Sequence, residues 1–515
     1  MVKNNLQSSN SDVKKLKNRS KSSQNTNTQK RKPKYSKNKR AAITTGIFVV
    51  SFLLLYIFYI INYSIPVRLA LALLTLFISG VAITRLNAFD GDHGIYLLSG
   101  TRGIKTIERL SNWRKGFWIF LSEWGLVLSF GILSYFIFKN KISKKALVIG
   151  LLSIFVLIFV VLPYFLLSLQ FISLPNLPSL NITSSQTLLS SFTLSSTGLI
   201  LLIITLIGGF SLFLFSELII ASGSTLLNVF TVASSIAASN PNYTPLSTSI
   251  PALAPIIPGI DIPLFAGILS LAVILVVHEF SHGILSKIYK ISIKRVGLVL
   301  FGVLPMGAFV EPDEKKVTSS ETYKQNNIFI AGVSANFFLT FVFFVLTIVF
   351  LLFVVSHIYT NSIYIYQVVP NSSAYNVIVP GTIITSWNNI PINNMSTLIH
   401  VASKDKPNGI VTVGSNNATY TLHANSTGKI GVLITQSYVQ SKGISASILA
   451  FLYQFIVLSL TLNFLVATVN LLPLPSFDGW RVYKNIIKNE KRLKYLSIIT
   501  IVIFVILALP WLFIL

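Results

Sequence analysis

The sequence predicts a polytopic α-helical membrane protein of about eight or nine transmembrane helices, with one small β-rich domain inserted toward its C-terminal end. Three observations carry that prediction. Of the 515 residues, 52% are hydrophobic and only 11% are charged, a balance that soluble domains of this size do not show. Uncharged apolar runs of about twenty residues, long enough to cross a bilayer, recur along most of the chain. Between residues 364 and 436 they give way to short alternating segments with turn residues, YIYQVV, GTIITSWNNIPI, GIVTVGSNNATYTL and GKIGVLIT, which suit strands outside the membrane. Cysteine is absent, so disulfides and thiolate metal sites are excluded.

The net charge of +26 is unevenly placed. Residues 1–40 hold thirteen Lys or Arg against one Asp, with no apolar periodicity. They read as a disordered basic cytoplasmic tail lying against anionic lipid, in preference to a binder of specific nucleic acid. A basic region this long, with no small-residue cleavage site behind it, is not a signal peptide. Residues 41–220 form an N-terminal block of about five spans, near 41–63, 66–84, 116–138, 146–169 and 197–220. Within it, His93 in FDGDHG is expected in an Asp- and Gly-rich turn, with a second metal site as the alternative. Lys139, Lys141, Lys144 and Lys145 favour a cytoplasmic loop, whereas strict alternation from a cytoplasmic tail puts them outside. One of the five runs is therefore expected not to cross fully. Glu123 and Glu217 lie in apolar runs and are expected to pair between helices or to sit near the interface. Residues 221–263, rich in Ser, Pro and Asn, read as an extracytoplasmic or re-entrant connection.

The next stretch, AVILVVHEFSHG at residues 272–283, organises the rest. His278 and His282 stand four apart and share one helix face, so both can bind a single Zn²⁺, with Glu279 beside it as the base for a water molecule. Two core histidines next to an accidental glutamate would explain the pattern less well, because ionisable groups on a membrane helix are costly. Residues 264–355 then hold three pieces: the motif helix, an apolar hairpin VGLVLFGVLPMGAFVEPDE containing Pro305 and Gly307, and a helix with Gly332 and Asn336 four apart. Lys287, Lys290, Lys294 and Arg295 place the hairpin on the cytoplasmic side. The β-rich insert occupies residues 362–437, and Asn394 and Asn417 in sequons fit an external face. Residues 447–494 return to the cytoplasmic side and end in NLLPLPSFDG, where the proline-broken chain can turn Asp478 back toward the histidines. Residues 495–515 are the last span.

These residues resemble the site-2 protease family of intramembrane zinc metalloproteases, peptidase family M50. HEFSHG at 278–283 matches its HExxH, AGVSAN ending at Asn336 is similar to its small-residue motif, and NLLPLPSFDG matches its N-x-x-P…D-G signature. The likeness spans residues 256–494. The insert resembles a PDZ domain, and IIPGIDIPL with PMGAFV looks most like the eukaryotic and archaeal branch. The resemblance implies one Zn²⁺ per chain on His278, His282 and Asp478, with Glu279 as base then acid. It implies that Asn470 holds the substrate backbone or oxyanion, and that Gly332, Asn336, Pro305 and Gly307 shape the surroundings. It also implies cleavage of transmembrane segments of single-span membrane proteins, in the plasma membrane, with the PDZ-like domain extracytoplasmic. Met306 interrupts the usual Pro-Gly-Ala-Phe run, and Phe477 stands where Leu is common. Two other readings stay open: a membrane-anchored HExxH protease acting on proteins at the cytoplasmic face, and a zinc-binding transporter or scaffold.

Overall fold

The structure, a computed structural model, describes residues 35–61, 63–139, 141–163, 196–238, 258, 262–354, 359–416, 418–440 and 444–510. Most of the basic tail, the end of the 146–169 run, most of the 221–263 connection and Asn417 lie outside them. The chain divides into two compact units, Met1–Ser99 with Gly297–Gly307, and Gly100–Val296 with Ala308–Leu515.

In the first unit, α1 (Lys37–Ile60) packs on α2 (Ile65–Asn87). Pro66 occupies the first turn of α2, where its missing N–H breaks no helical bond. Strands β1 (Gly91–Asp92) and β2 (Ile95–Ser99) then form a hairpin around His93 and Gly94, both at positive φ. Two positive φ values make the turn that a two-residue hairpin requires. FDGDHG is thus a turn, and exposed His93 stands beside exposed Asp92, Nδ1 to Oδ2 3.3 Å. Strand β2 pairs antiparallel with β3 (Ile293–Phe301), from Ile95 opposite Phe301 to Ser99 opposite Gly297. Strand β4 (Leu304–Pro312) closes the sheet in the order β1-β2-β3-β4 and runs unbroken through Met306, whose side chain is exposed.

The second unit begins with α3 (Thr101–Asn112), α4 (Lys115–Phe130) and the short α5 (Leu133–Ile137), followed by α6 (Lys144–Val156), which continues through a π turn to Val161. The expected span at 116–138 is broken at Gly131, φ 58°. The 16 residues of α4 reach about 24 Å at 1.5 Å per residue, short of the roughly 30 Å of a hydrocarbon core. A second break meets the first. In α7 (Ser196–Ala237) the helix is interrupted at Gly209, φ 66°, and Ile132 N donates to Leu206 O at 2.8 Å. A Cβ on Gly131 would strike the backbone of Leu206 to Gly209, and one on Gly209 would strike that of Ser129 and Phe130. Two glycines therefore let two broken helices touch backbone to backbone.

Helix α7 also corrects the expectation of a connection starting at residue 221, because it continues to Ala237. No proline interrupts that stretch, and Ser222, Thr225, Thr231 and Ser234 each return their hydroxyl to a carbonyl three or four residues back. Polar side chains satisfied in this way do not stop a helix.

Helix α8 (Leu264–Ile288) carries the motif. It ends in a Schellman turn: Lys290 takes positive φ, Ile291 N donates to Ser286 O at 2.8 Å and Lys290 N to Lys287 O at 3.0 Å. After β3 and β4 come α9 (Glu314–Thr318) and α10 (Thr322–Phe353). Helix α10 is the centre of the unit, packed against α4, α8, α12 (Ile444–Val469) and α13 (Asp478–Ile486). The insert holds β5 (Tyr359–Val368), β6 (Ile383–Trp387), β7 (Ile390–Pro391), α11 (Met395–Ala402), β8 (Ile410–Ser415), β9 (Thr419–His423) and β10 (Val432–Gln440). Its antiparallel sheet runs β10-β5-β6-β8-β9, with β7 on β6. Ile365, Ile384, Trp387, Leu398 and Val413 fill a core of its own. The last helix is α14 (Glu490–Ala508).

Among the described residues, α1, α2, α6 with its π turn, α7, α8, α10 and α12 are the 7 helices long and apolar enough to cross a membrane. The expected eight or nine also counted 116–138, which is broken, and 495–515, where α14 opens on Glu490, Lys491, Arg492 and Lys494.

Candidate metal centre

Helix α8 puts His278 and His282 one turn apart, with ring centroids 5.0 Å from each other. The third group arrives from about two hundred residues later. Asp478 opens α13, and its Oδ2 lies 3.1 Å from His278 Nε2 and 3.2 Å from His282 Nε2. The turn before α13 aims it: Gly479 N donates to Asn470 O at 2.7 Å, and a Cβ on Gly479 would collide with the Leu471 backbone. Only glycine permits that approach, which gives the Asp-Gly pair a structural reason beyond its frequency in turns.

The hydrogen bonds around the three groups leave their facing atoms suited to a cation. His282 Nδ1 lies 2.7 Å from Ile328 O. A carbonyl only accepts, so Nδ1 carries the proton, and in the neutral ring Nε2 presents a lone pair to the Asp478 carboxylate. His278 is held alike, its Nδ1 3.0 Å from the Asn336 amide, in the orientation with Nδ2 toward the ring. That orientation leaves Asn336 Oδ1 buried without a partner. Turning the amide over lets Nδ1–H donate to Oδ1 and frees Nε2. Asp478 Oδ2 is itself buried without a hydrogen-bond partner. Two imidazole lone pairs and a carboxylate oxygen facing one another repel unless a cation lies between them. Ligand bonds of about 2.0–2.2 Å in a tetrahedron imply ligand atoms roughly 3.3–3.5 Å apart, close to what is seen. The residues fit a small divalent ion, and this is the one such cluster among the described residues.

Glu279 stands outside this cluster, and its Oε2 accepts from Val310 N of β4 at 3.1 Å. Gly332 packs directly on the imidazole of His278, where any Cβ would displace the ring. Asn470 contributes through its backbone carbonyl, while its side-chain Nδ2 donates to Val466 O at 2.9 Å within its own helix. Pro305 and Gly307 lie in the part of β4 that belongs to the first unit, and Gly307 makes only ordinary contact with Val299. Glu123 pairs between helices: its Oε1 accepts from Tyr323 OH at 2.6 Å and its Oε2 from Ser143 N at 3.0 Å. Two supporting groups had escaped sequence reasoning. One is the Ile328 carbonyl, which no sequence pattern marks. The other is the amide pair in which Asn485 Nδ2 of α13 donates to Asn326 Oδ1 of α10 at 2.7 Å; the doubled Asn326-Asn327 at the head of an apolar helix was its signal.

An uncharacterised protein of Methanocaldococcus jannaschii is 28% identical over 240 residues, which are 45% of this chain and 61% of that protein. The chain thus spans less than two thirds of that relative's length. Residues 266–512 match the family model described as Peptidase family M50. That stretch, a little under half of the chain, holds His278, His282, α10 and the Asp478 turn.

Proposed function

We propose that the protein is an intramembrane zinc endopeptidase of the site-2 protease type, cutting transmembrane segments of single-span membrane proteins. The observation that carries this reading is the convergence of His278 Nε2, His282 Nε2 and Asp478 Oδ2 on one point beside Glu279. His278, His282 and Asp478 would hold one Zn²⁺, which when bound would polarise a peptide carbonyl and lower the pKa of a water molecule to about 7. Glu279, its carboxylate aimed by Val310 N, takes a proton from water as the water oxygen bonds to the peptide carbon, and returns it to the nitrogen as the C–N bond breaks. Strand β4 lies at the sheet edge, so an unwound substrate segment pairing along it would pass Glu279 in extended form. Asn470, beside the Asp478 turn, offers its side-chain oxygen to the substrate backbone. The basic residues following α8 and α12 support a cytoplasmic catalytic side, with the β-rich insert at the outer face of the plasma membrane acting as a PDZ-like filter.

The test is a metal count on purified protein, with incubation against a panel of single-span substrates. Glu279→Gln should lower cleavage by at least about 10²-fold with zinc retained, and Asp478→Ala should lose the zinc. Full metal content and full cleavage in Asp478→Ala would remove this assignment and favour a membrane-anchored protease with a different third ligand. An intact metal count with no effect of Glu279→Gln on any function would favour a transporter.

A further inference from the structure

Helix α3 precedes the stretch matched by the family and plays no part in the metal centre. Its 12 residues, TRGIKTIERLSN, divide sharply into two faces. Ile107 and Ser111 are buried, with Ile107 against Gly283 of α8, where an added Cβ would meet its methyl group at 2.8 Å. Gly103 packs on Val296 in the same way. On the other face Arg102, Lys105 and Arg109 are exposed, and Arg114 and Lys115 follow, exposed as well. None of these five cations is in an ion pair among the described residues. The one carboxylate of the helix, Glu108, is taken by Lys287 of α8 at 2.6 Å.

Lys287 lies in the last turn of the candidate span Leu264–Ile288, so a helix paired to it lies where α8 leaves the hydrocarbon. An aromatic cluster follows the helix. Trp113, Phe117 and Trp118 pack edge to face with centroids 5.3–6.5 Å apart, and Trp118 Nε1 donates to Leu110 O and Trp113 O at 3.1 Å. Trp113 remains 55% exposed. Amphipathic aromatic rings of this kind collect at headgroup depth, and a helix with one apolar and one basic face lies in the plane of that interface.

We propose that α3 is a contact surface for anionic lipid, in which Arg102, Lys105, Arg109, Arg114 and Lys115 bind phosphate-bearing headgroups while Ile107 and Glu108 fasten the helix to α8. The chain has no cysteine, so Asn112→Cys in the full-length protein carries a single fluorophore at the end of this helix. The protein is reconstituted in vesicles of phosphatidylcholine and phosphatidylglycerol at 4:1, with a headgroup spin label placed on one lipid or the other. Labelled phosphatidylglycerol should quench about threefold more per mole than labelled phosphatidylcholine, and the preference should shrink as salt rises. Adding Arg102→Gln, Lys105→Gln and Arg109→Gln should bring the ratio near one, whereas Arg102→Lys with Arg109→Lys should preserve it. Should the triple variant fail to reconstitute, the salt series on Asn112→Cys alone decides. Equal quenching by the two lipids in Asn112→Cys, or a preference unchanged by the triple replacement, would overturn the proposal and point to an acidic protein partner.

Discussion

The two halves of α10 differ in composition and in constraint. The first carries Asn326, Asn327, Ser334 and Asn336 among its apolar residues, and every residue from Asn326 to Phe337 is buried; the second is apolar but for Thr340 and Thr347, and in it Phe338, Val342, Val345, Leu346, Val349, Leu352 and Phe353 are exposed. The first half touches α4, α8, α12 and α13, and supplies the Ile328 carbonyl to His282, the Asn336 amide to His278, and Asn326 to the helix bearing Asp478. The second half buries only Thr340, Phe343 and Thr347, with Phe343 and Phe350 against Phe455 and Tyr453 of α12 and Phe338 and Phe341 against Phe117 and Trp124 of α4. Hydropathy selects a helix for the membrane. What a residue must do there depends on whether protein or acyl chains surround it.

The sharpest way to break this contrast is Gly332→Val. Its side chain needs the space of the His278 imidazole, so bound metal should fall from about one per chain toward none, with a cost of about 1–3 kcal/mol from overpacking. Metal analysis and thermal unfolding check both parts. Asn336→Ala keeps the ligands and removes the support of His278 Nδ1, and zinc affinity should weaken about 10–100-fold in a competition titration with a chelator. Asn326→Ala leaves the Asn485 amide half-satisfied next to α13. A destabilisation of about 1–3 kcal/mol is expected, with cleavage reduced and metal retained. At the small end, Val345→Leu or Val349→Leu in the second half should change stability by less than about 0.5 kcal/mol. A second-half replacement as damaging as Asn326→Ala would show that the two halves are not distinct.

Much of the site was legible because helical spacing alone places His278, Glu279 and His282. Gly332 and Asn336 were visible as a pair on one face, though not which of them meets the ring and which the ring nitrogen. Asn470 was expected at the substrate, and what the structure shows is its carbonyl holding the Gly479 turn. In the N-terminal block the positive charges at 139–145 raised the expectation of a run that does not cross fully, and what the structure shows is that the helix of 116–138 breaks. The cause of the break, a positive-φ Gly131 seated against a positive-φ Gly209, is a contact between residues far apart in sequence.

By itself the sequence determined what is periodic or compositional: helices long enough for a bilayer, a strand-rich insert, and two imidazoles on one helical face beside a carboxylate. Such properties depend on neighbours within a few residues, and local spacing encodes them. The tertiary structure alone decided the meeting of Asp478 with His278 and His282, the fixing of His282 by a backbone carbonyl, and the halting of one apolar run by the kink of another. Each of these rests on groups brought together by packing across long stretches of chain, where close contact and unsatisfied lone pairs, rather than periodicity, set the outcome.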